Sequence, residues 1–431
     1  LASTGIAIAI LVVSFVVLIL FRFPIALTLV VSSLLTVLYL GIPLPVIGQQ
    51  MVQGMNSFSL LAIPFFILTG QIMSAGGLAS RIVNFAILLV GRIRGGLAMV
   101  NSVASLFFGN ISGSAVADVS SVGSVMIPMM KKNGYDADYS VGVTISSAIQ
   151  GVVVPPSHNL VLYSLAAGGV SIASLFMAGI VPGVIMLIAL MTTSYLIARK
   201  RGYKKAEPIP RSQIGSVLLH GILSLSPAVI ILGGIMSGVF TATESGALAC
   251  IYSFILAAFV YKELPLSSIF MVLKRTLKTV SMVFFLIAAS AAFGWVLAFL
   301  QIPSAITDLM LGISDNPIII LLIINILLLL LGAPMDMAPM ILIMTPILLP
   351  VVTSFGMDPV QFGIILILNA GIGLLTPPVG TVLFVGSAIG KVSIPQATKA
   401  MMPFFYALLI VLLIITYVPG VVMWLPNLLA N

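Results

Sequence analysis

The chain has 431 residues, is 61% hydrophobic and only 6% charged, and carries a formal net charge of +8 with a mean hydropathy of +1.28. Soluble domains carry about 25% charged residues, so a soluble enzyme or nucleic-acid-binding domain is excluded, and the positive balance is assigned to cytoplasmic loops. The one cysteine, Cys250, excludes an intrachain disulfide and reads as a small packing residue in an apolar segment.

Apolar runs of about 20 residues, the length that crosses a bilayer, recur along the whole chain and predict an all-α polytopic membrane protein. Ten full crossings are expected, at 4–21, 24–41, 57–75, 138–168, 173–198, 216–236, 240–261, 279–301, 360–390 and 400–424. The first is long enough to be a span rather than the core of a cleavable leader. Two further apolar regions, 96–130 and 317–352, are each interrupted by a polar or glycine-rich stretch. Their arms, about 14–16 residues long, are short for spans, so re-entrant helical hairpins are expected. On that map all 18 Lys and Arg fall on one face, from Arg22 through the loop holding Arg199, Lys200, Arg201, Lys204, Lys205 and Arg211 to Lys399. A single crossing at either special region would scatter them. The positive-inside rule makes the basic face cytoplasmic and puts both termini outside. The opposite face carries Asp308, Asp315 and Asp358.

A shift of 222 residues superimposes Pro155-Pro156 on Pro377-Pro378. The same shift pairs Pro128 with Pro350, Gly134 with Gly356, Asp136 with Asp358, Gly151 with Gly373, and Val170-Ser171-Ile172 with Val392-Ser393-Ile394. Shared prolines and glycines at one offset indicate an internal repeat. Each unit holds five crossings and one hairpin. Five is odd, so the second copy is expected upside down relative to the first. Inverted repeats with interrupted helices at matching positions mark secondary transporters. The interruptions are VVVPPSHNL (152–160) and LLTPPVGTV (374–382), where Pro155, Pro156, Pro377 and Pro378 remove donors and disfavour helix. A helix broken at membrane depth survives only where protein or water covers it. Each break frees carbonyls suited to a hard cation and N–H groups suited to an anion.

Four stretches therefore converge: the two breaks and the hairpin turns FGNISGSAVAD (108–118) and LGAPMDMAP (331–339). Asn110, Ser112 and Ser114 supply neutral oxygens at the first turn, with Gly109 and Gly113 allowing close backbone approach. Gly332, Ala333 and Pro334 play that part at the second, and Asn369, Thr376 and Thr381 surround the second break. Oxygen donors with little formal charge and no Cys/His cluster fit Na⁺; singly, each Ser or Thr is also compatible with helix packing. Asp118 and Asp336 are carboxylates at or beside the turns. Either stabilises Na⁺, carries a proton, or caps helix N–H groups. Ser157, His158 and Asn159, after the first break, are candidate substrate contacts with Asp118; a lone histidine is also often structural. Glu244, in VFTATESGAL, is an interfacial anchor or a docking residue. No Lys or Arg is expected in this constellation, so a carboxylate substrate is left to helix N-termini, Ser and Asn side chains and bound Na⁺.

The segments GNISGSAVAD, GVVVPPSHN, GAPMDMAPMILIMTPILLP and GVFTATESGA resemble the large membrane subunit of tripartite ATP-independent periplasmic (TRAP) transporters, and the resemblance spans essentially the whole chain. It implies an elevator-type, Na⁺-coupled importer of an organic acid in the bacterial inner membrane. It also implies a small four-helix membrane subunit and a periplasmic binding protein as partners. The family pattern carries function onto Asn110, Ser112, Ser114, Asp118, Pro155, Pro156, Asp336, Thr376, Pro377 and Pro378. A mobile transport domain is expected at 96–168 and 302–390, within scaffold at 1–95, 173–301 and 400–431. Ser157-His158-Asn159 is more similar to the sialic-acid branch than to relatives with an apolar residue and proline there; a C4-dicarboxylate remains open. No four-helix module precedes Leu1, so the small subunit is expected on a separate chain. A stand-alone Na⁺/dicarboxylate or anion carrier is the alternative. An intramembrane aspartyl protease lacks its GxGD-type context, a zinc protease lacks HExxH, and ATP coupling lacks a Walker motif.

Overall fold

The computed structural model describes residues 3–314, 316–377 and 380–429, which are helical with connecting turns. Asp315 and Pro378 lie outside the described residues. The first half contains α1 (Thr4–Leu20), α2 (Ile25–Leu40), α3 (Pro45–Met55), α4 (Ala62–Ala75), α5 (Leu78–Val90), α6 (Gly96–Ser112), α7 (Ala115–Asp118), α8 (Ser124–Lys132), α9 (Ala137–Ala148), α10 (Gln150–Val153), α11 (His158–Ala166) and α12 (Ile172–Arg201). The second contains α13 (Ile214–Met236), α14 (Ala242–Ile255), α15 (Leu266–Phe299), α16 (Ile302–Ile313), α17 (Pro317–Gly332), α18 (Met337–Ser354), α19 (Pro359–Gly373), α20 (Thr381–Gly390), α21 (Ile394–Tyr417) and α22 (Pro419–Leu429).

Among the described residues, seven helices are long and apolar enough to cross a membrane. Six of them coincide with expected crossings, at Phe58–Ala75, Ile172–Arg201, Arg211–Met236, Ala242–Val260, Leu266–Phe299 and Ile394–Tyr417. The seventh, α18, lies in the second expected hairpin, and its 18 residues run through Pro346 and Pro350. That arm is longer than expected. Two other expected crossings, α1 and α2, are apolar helices of 17 and 16 residues. The crossings expected at 138–168 and 360–390 are broken helices: α9 to α11, and α19 with α20. Four helices were not anticipated. α3, α5 and α16 are 11 to 13 residues long and amphipathic or polar, so no run of about 20 apolar residues announces them. α22 is split from α21 at Val418-Pro419.

Helix ends follow local chemistry. Thr241 Oγ1 accepts from Glu244 N (3.3 Å) and Glu244 Oε2 accepts from Thr241 N (2.8 Å), a capping box that starts α14. Glu244 thus caps a helix. Gly41 and Gly202 close α2 and α12 in the left-handed conformation.

α2 to α5 pack with α13, α14 and α15, and α6 to α11 pack with α12 and with α18 to α21; α5 on α6, α4 on α6 and α11, and α15 on α18 join the two groups. Glycine crossings hold the second group tightly. A Cβ on Gly109 of α6 would lie 2.9 Å from Gly151 Cα of α10, and one on Gly373 of α19 would lie 2.7 Å from Gly332 Cα of α17. Only glycine permits backbones that close. At the start of α9, Asp136 accepts from the Tyr203 hydroxyl (2.5 Å) and from Arg201 Nη1 (2.7 Å), and Tyr135 and Tyr203 stack at 4.3 Å. These bonds fasten the end of the first hairpin to α12.

Candidate functional site

The first hairpin turns at Gly113, whose left-handed backbone (φ 59°) ends α6. Ser114 then caps α7, its Oγ accepting from Ala117 N at 3.3 Å. Ser112 Oγ donates to Gly109 O at 3.1 Å. The first break spans 154–157, between α10 and α11, with Val154 and Ser157 extended. Ser157 Oγ donates to Val152 O (2.8 Å), satisfying one freed carbonyl. Asn159 Nδ2 donates to Gly113 O at 2.7 Å, so the break and the hairpin tip are bonded to each other.

The second hairpin turns between Gly332 and Asp336. Asp336 is exposed and caps α18, with Oδ1 accepting from Met337 N at 2.9 Å. The second break follows Gly373; Thr376 Oγ1 donates to Ile372 O at 3.1 Å, and α20 restarts at Thr381, whose Oγ1 has no partner. Behind it, Asn369 Nδ2 donates to Asn325 Oδ1 (2.8 Å), and Asn325 Nδ2 donates to Thr416 Oγ1 (3.0 Å).

A cavity of about 490 Å³ joins these parts. One wall is Ser112 to Ala117 with His158 and Asn159; another is Asp336 to Ala338 with Leu374. The third comes from α4 (Ile67, Gly70, Gln71, Ser74) and α15 (Arg275, Thr279, Val283). Of the expected site residues, Ser112, Ser114, His158, Asn159 and Asp336 share this cavity. Asn110, Gly332, Pro334, Asn369, Thr376, Thr381, Ser157, Pro155, Pro156 and Pro377 lie outside its lining, as does Glu244. Asp118 is also outside it. Its carboxylate carbon faces the Gly109–Gly151 crossing, 3.6 Å from where a Cβ on Gly109 would stand.

Asp118 is fully buried, with the Ser105 hydroxyl as its neighbouring donor. Asn110 Oδ1, Ser146 Oγ and Gln150 Oε1, from α6, α9 and α10, are buried and unpartnered. Isolated buried charge is expensive, and buried polar atoms are normally bonded. Acceptor oxygens without donors suit a small hard cation.

One departure concerns charge. No basic residue was expected here, yet Arg275 lines the cavity. The sequence reading began that span at 279, because Lys274, Arg275 and Lys278 resemble a loop; α15 instead starts at Leu266. Gln71, in an otherwise apolar helix, was the legible sign that α4 also lines a polar space.

The family model described as “Tripartite ATP-independent periplasmic transporter, DctM component” matches residues 12–421. The chain belongs to the DctM family of TRAP transporters. A Salmonella typhimurium relative, the uncharacterized protein YgiK, is 45% identical over 97% of this chain and 96% of its own length. The sialic acid TRAP transporter large permease protein SiaM of Vibrio cholerae is 42% identical, covering 88% and 89%. The C4-dicarboxylate TRAP transporter large permease protein DctM of Rhodobacter capsulatus is 36% identical, covering 90% and 91%. Two solved transporters share the fold: Alcanivorax borkumensis YdaH (TM-score 0.60, 14% identity, 86% of this chain and 88% of that one) and Neisseria gonorrhoeae MtrF (0.59, 13%, 88% and 84%). This DctM-family chain is therefore a multi-pass membrane protein of a substrate-transport family whose relatives are permeases.

Proposed function

We propose that the chain is the large membrane subunit of a Na⁺-coupled importer that takes an organic acid from a periplasmic binding protein, with a small membrane subunit at its side. The observation that carries this reading is the cavity between both hairpin tips, backed by the buried carboxylate Asp118 and by unpartnered oxygens on α6, α9 and α10. Two inverted copies of one unit underlie it. At the 222-residue offset, Ser114 corresponds to Asp336, each capping the helix after a tip, and Gly151 corresponds to Gly373, each at a glycine crossing. The transport body comprises 96–168 and 302–390. It moves along scaffold helices such as α4 and α15 and exposes the site to each side in turn.

Na⁺ is cargo in this scheme. Asn110, Ser112, Ser114 and Asp118 serve it in the first half, and Gly332, Pro334, Asp336, Asn369, Thr376 and Thr381 in the second. Binding it orders the tips and completes the anion site. Of the expected contacts Ser157, His158, Asn159 and Asp118, the two that line the cavity, His158 and Asn159, contact the acid. Their polarity favours a hydroxylated sugar acid such as sialic acid, in keeping with the likeness to SiaM; a C4-dicarboxylate is the other candidate. The protein sits in the bacterial inner membrane with its basic face cytoplasmic and both termini periplasmic.

Proteoliposome uptake tests this. Sialic acid or succinate should accumulate only with an inward Na⁺ gradient and with the binding protein and small subunit supplied. Equal accumulation after the gradient is collapsed would sink the coupling. Uptake of free acid by this chain alone would turn the reading into a stand-alone carrier.

A further inference from the structure

Arg275 puts a cation in the cavity on a helix that belongs to neither hairpin. It lines the wall with Thr279 and Val283, at i, i+4 and i+8 of α15, so one face of that helix grades from guanidinium through hydroxyl to apolar. Its neighbours Lys274 and Lys278 do not line the cavity. Among the described residues the ion pairs are Arg81–Glu263, Arg201–Asp136 and Arg201–Asp138. Among the described residues the Arg275 guanidinium makes no ion pair, and the Arg275 carbonyl accepts from Thr279 Oγ1 at 3.2 Å. The other charged residue of the lining, Asp336, has an oxygen bonded to Met337 N. The remaining polar groups there are neutral hydroxyls, amides and one imidazole.

We infer that Arg275 receives the carboxylate of the acid in the cytoplasm-facing state and sets the affinity of that side; this deepens the import reading and rests on it. A guanidinium offers two parallel N–H groups that match a carboxylate, and an unpaired one gives up no existing partner to do so. The residue stands at the basic-face end of α15, so it meets the acid between the hairpin tips and the cytoplasm. α15 packs chiefly against α2, α3 and α4 and more lightly against α18. When the hairpin body travels toward the opposite face, Arg275 stays behind. Its contribution is therefore one-sided, unlike that of His158 or Asn159, which move with the site.

The test uses the full complex in proteoliposomes with sialic acid and succinate as probes. The acid is supplied outside through the binding protein, or preloaded inside as an inhibitor of uptake. Arg275→Gln is expected to raise the internal concentration for half-inhibition about 5- to 20-fold, the range of a partly solvated charge-assisted pair. External half-saturation is expected to change less than about 2-fold, because that state lacks the contact. Arg275→Lys, which keeps the charge but not the fork, is expected to shift the internal value about 2- to 5-fold. This second variant carries the test if the first does not fold. An unchanged internal value, or equal shifts on both sides, overturns the assignment. Wild-type complex that takes up neither acid overturns the import reading itself, and this inference with it.

Discussion

The two hairpin halves hold one carboxylate each, but at different depths. Asp118 in the first is fully buried beside Ser105, and its counterpart at the 222-residue offset is Met340. Asp336 in the second is exposed and capping, and its counterpart is Ser114. Their surroundings differ in the same sense. Asn159 ties the first break to its hairpin tip through Gly113 O, whereas the corresponding Thr381 leaves its hydroxyl free. The first half is thus bonded around a buried carboxylate, and the second is looser around an exposed cap. Resemblance in sequence position does not make the two carboxylates equivalent in chemistry.

The largest expected effect breaks that contrast directly. Asp118→Asn should lower Na⁺-driven uptake about 100-fold or more, the scale of removing one partner of a buried charge pair, with the uptake rate against Na⁺ concentration as readout. An effect no larger than that of Asp336→Asn would erase the distinction between the halves. Next come the glycine crossings. Gly109→Ala and Gly373→Ala should each destabilise by about 1–3 kcal/mol through overpacking, measured by thermal unfolding of the purified protein. Unequal penalties would show which crossing yields.

Smaller effects follow at the tips. Asp336→Ala should cost about 1 kcal/mol as a lost cap, while Asp336→Asn, which still accepts from Met337 N, should keep most of that stability. If both variants lose uptake equally, the charge rather than the cap is at work. The smallest effect is at the basic face. The Tyr203 hydroxyl, and then Arg201, hold the Asp136 carboxyl below the usual carboxylate range. A depressed folded pKa gives stability that is present above the unfolded value of about 3.9 and lost as pH falls through the folded one. For so exposed a pair the gain is at most about 1 kcal/mol. Arg201→Gln should lower Tm slightly near neutrality and converge with the parent protein below about pH 4, where Asp136 is protonated in both.

Much of this architecture was legible because prolines and glycines are hard to disguise in an apolar chain. Two proline pairs cannot sit inside a helix, and the helices do stop at Val153 and Gly373. The hairpin turns were readable from GNISGS and GAPMD. α3 and α5 were not: Gln49, Gln50 and Gln53 in one and Arg81 in the other break any apolar run, and only packing against α15 or α6 reveals the helices. Arg275 was hidden by its neighbours, since three basic residues in five look like loop whether or not the helix continues through them. The depth of Asp118 was equally invisible, because the residues covering it come from α6 and α10 as much as from its own segment.

The seam between the hairpin body and α4 is furnished with very small groups. Gly70 backs onto Ser112, where a Cβ would stand 2.8 Å from the Ser112 Cα, and Ser74 and Ser121 share one hydroxyl bond at 2.6 Å. No ion pair crosses that seam among the described residues. On the movement proposed above, slipping one body past the other there exchanges the Ser74–Ser121 hydroxyl contact, about 0.5–1.5 kcal/mol. On that same movement, a bulky side chain at position 70 would press on Ser112 and act as a brake on turnover.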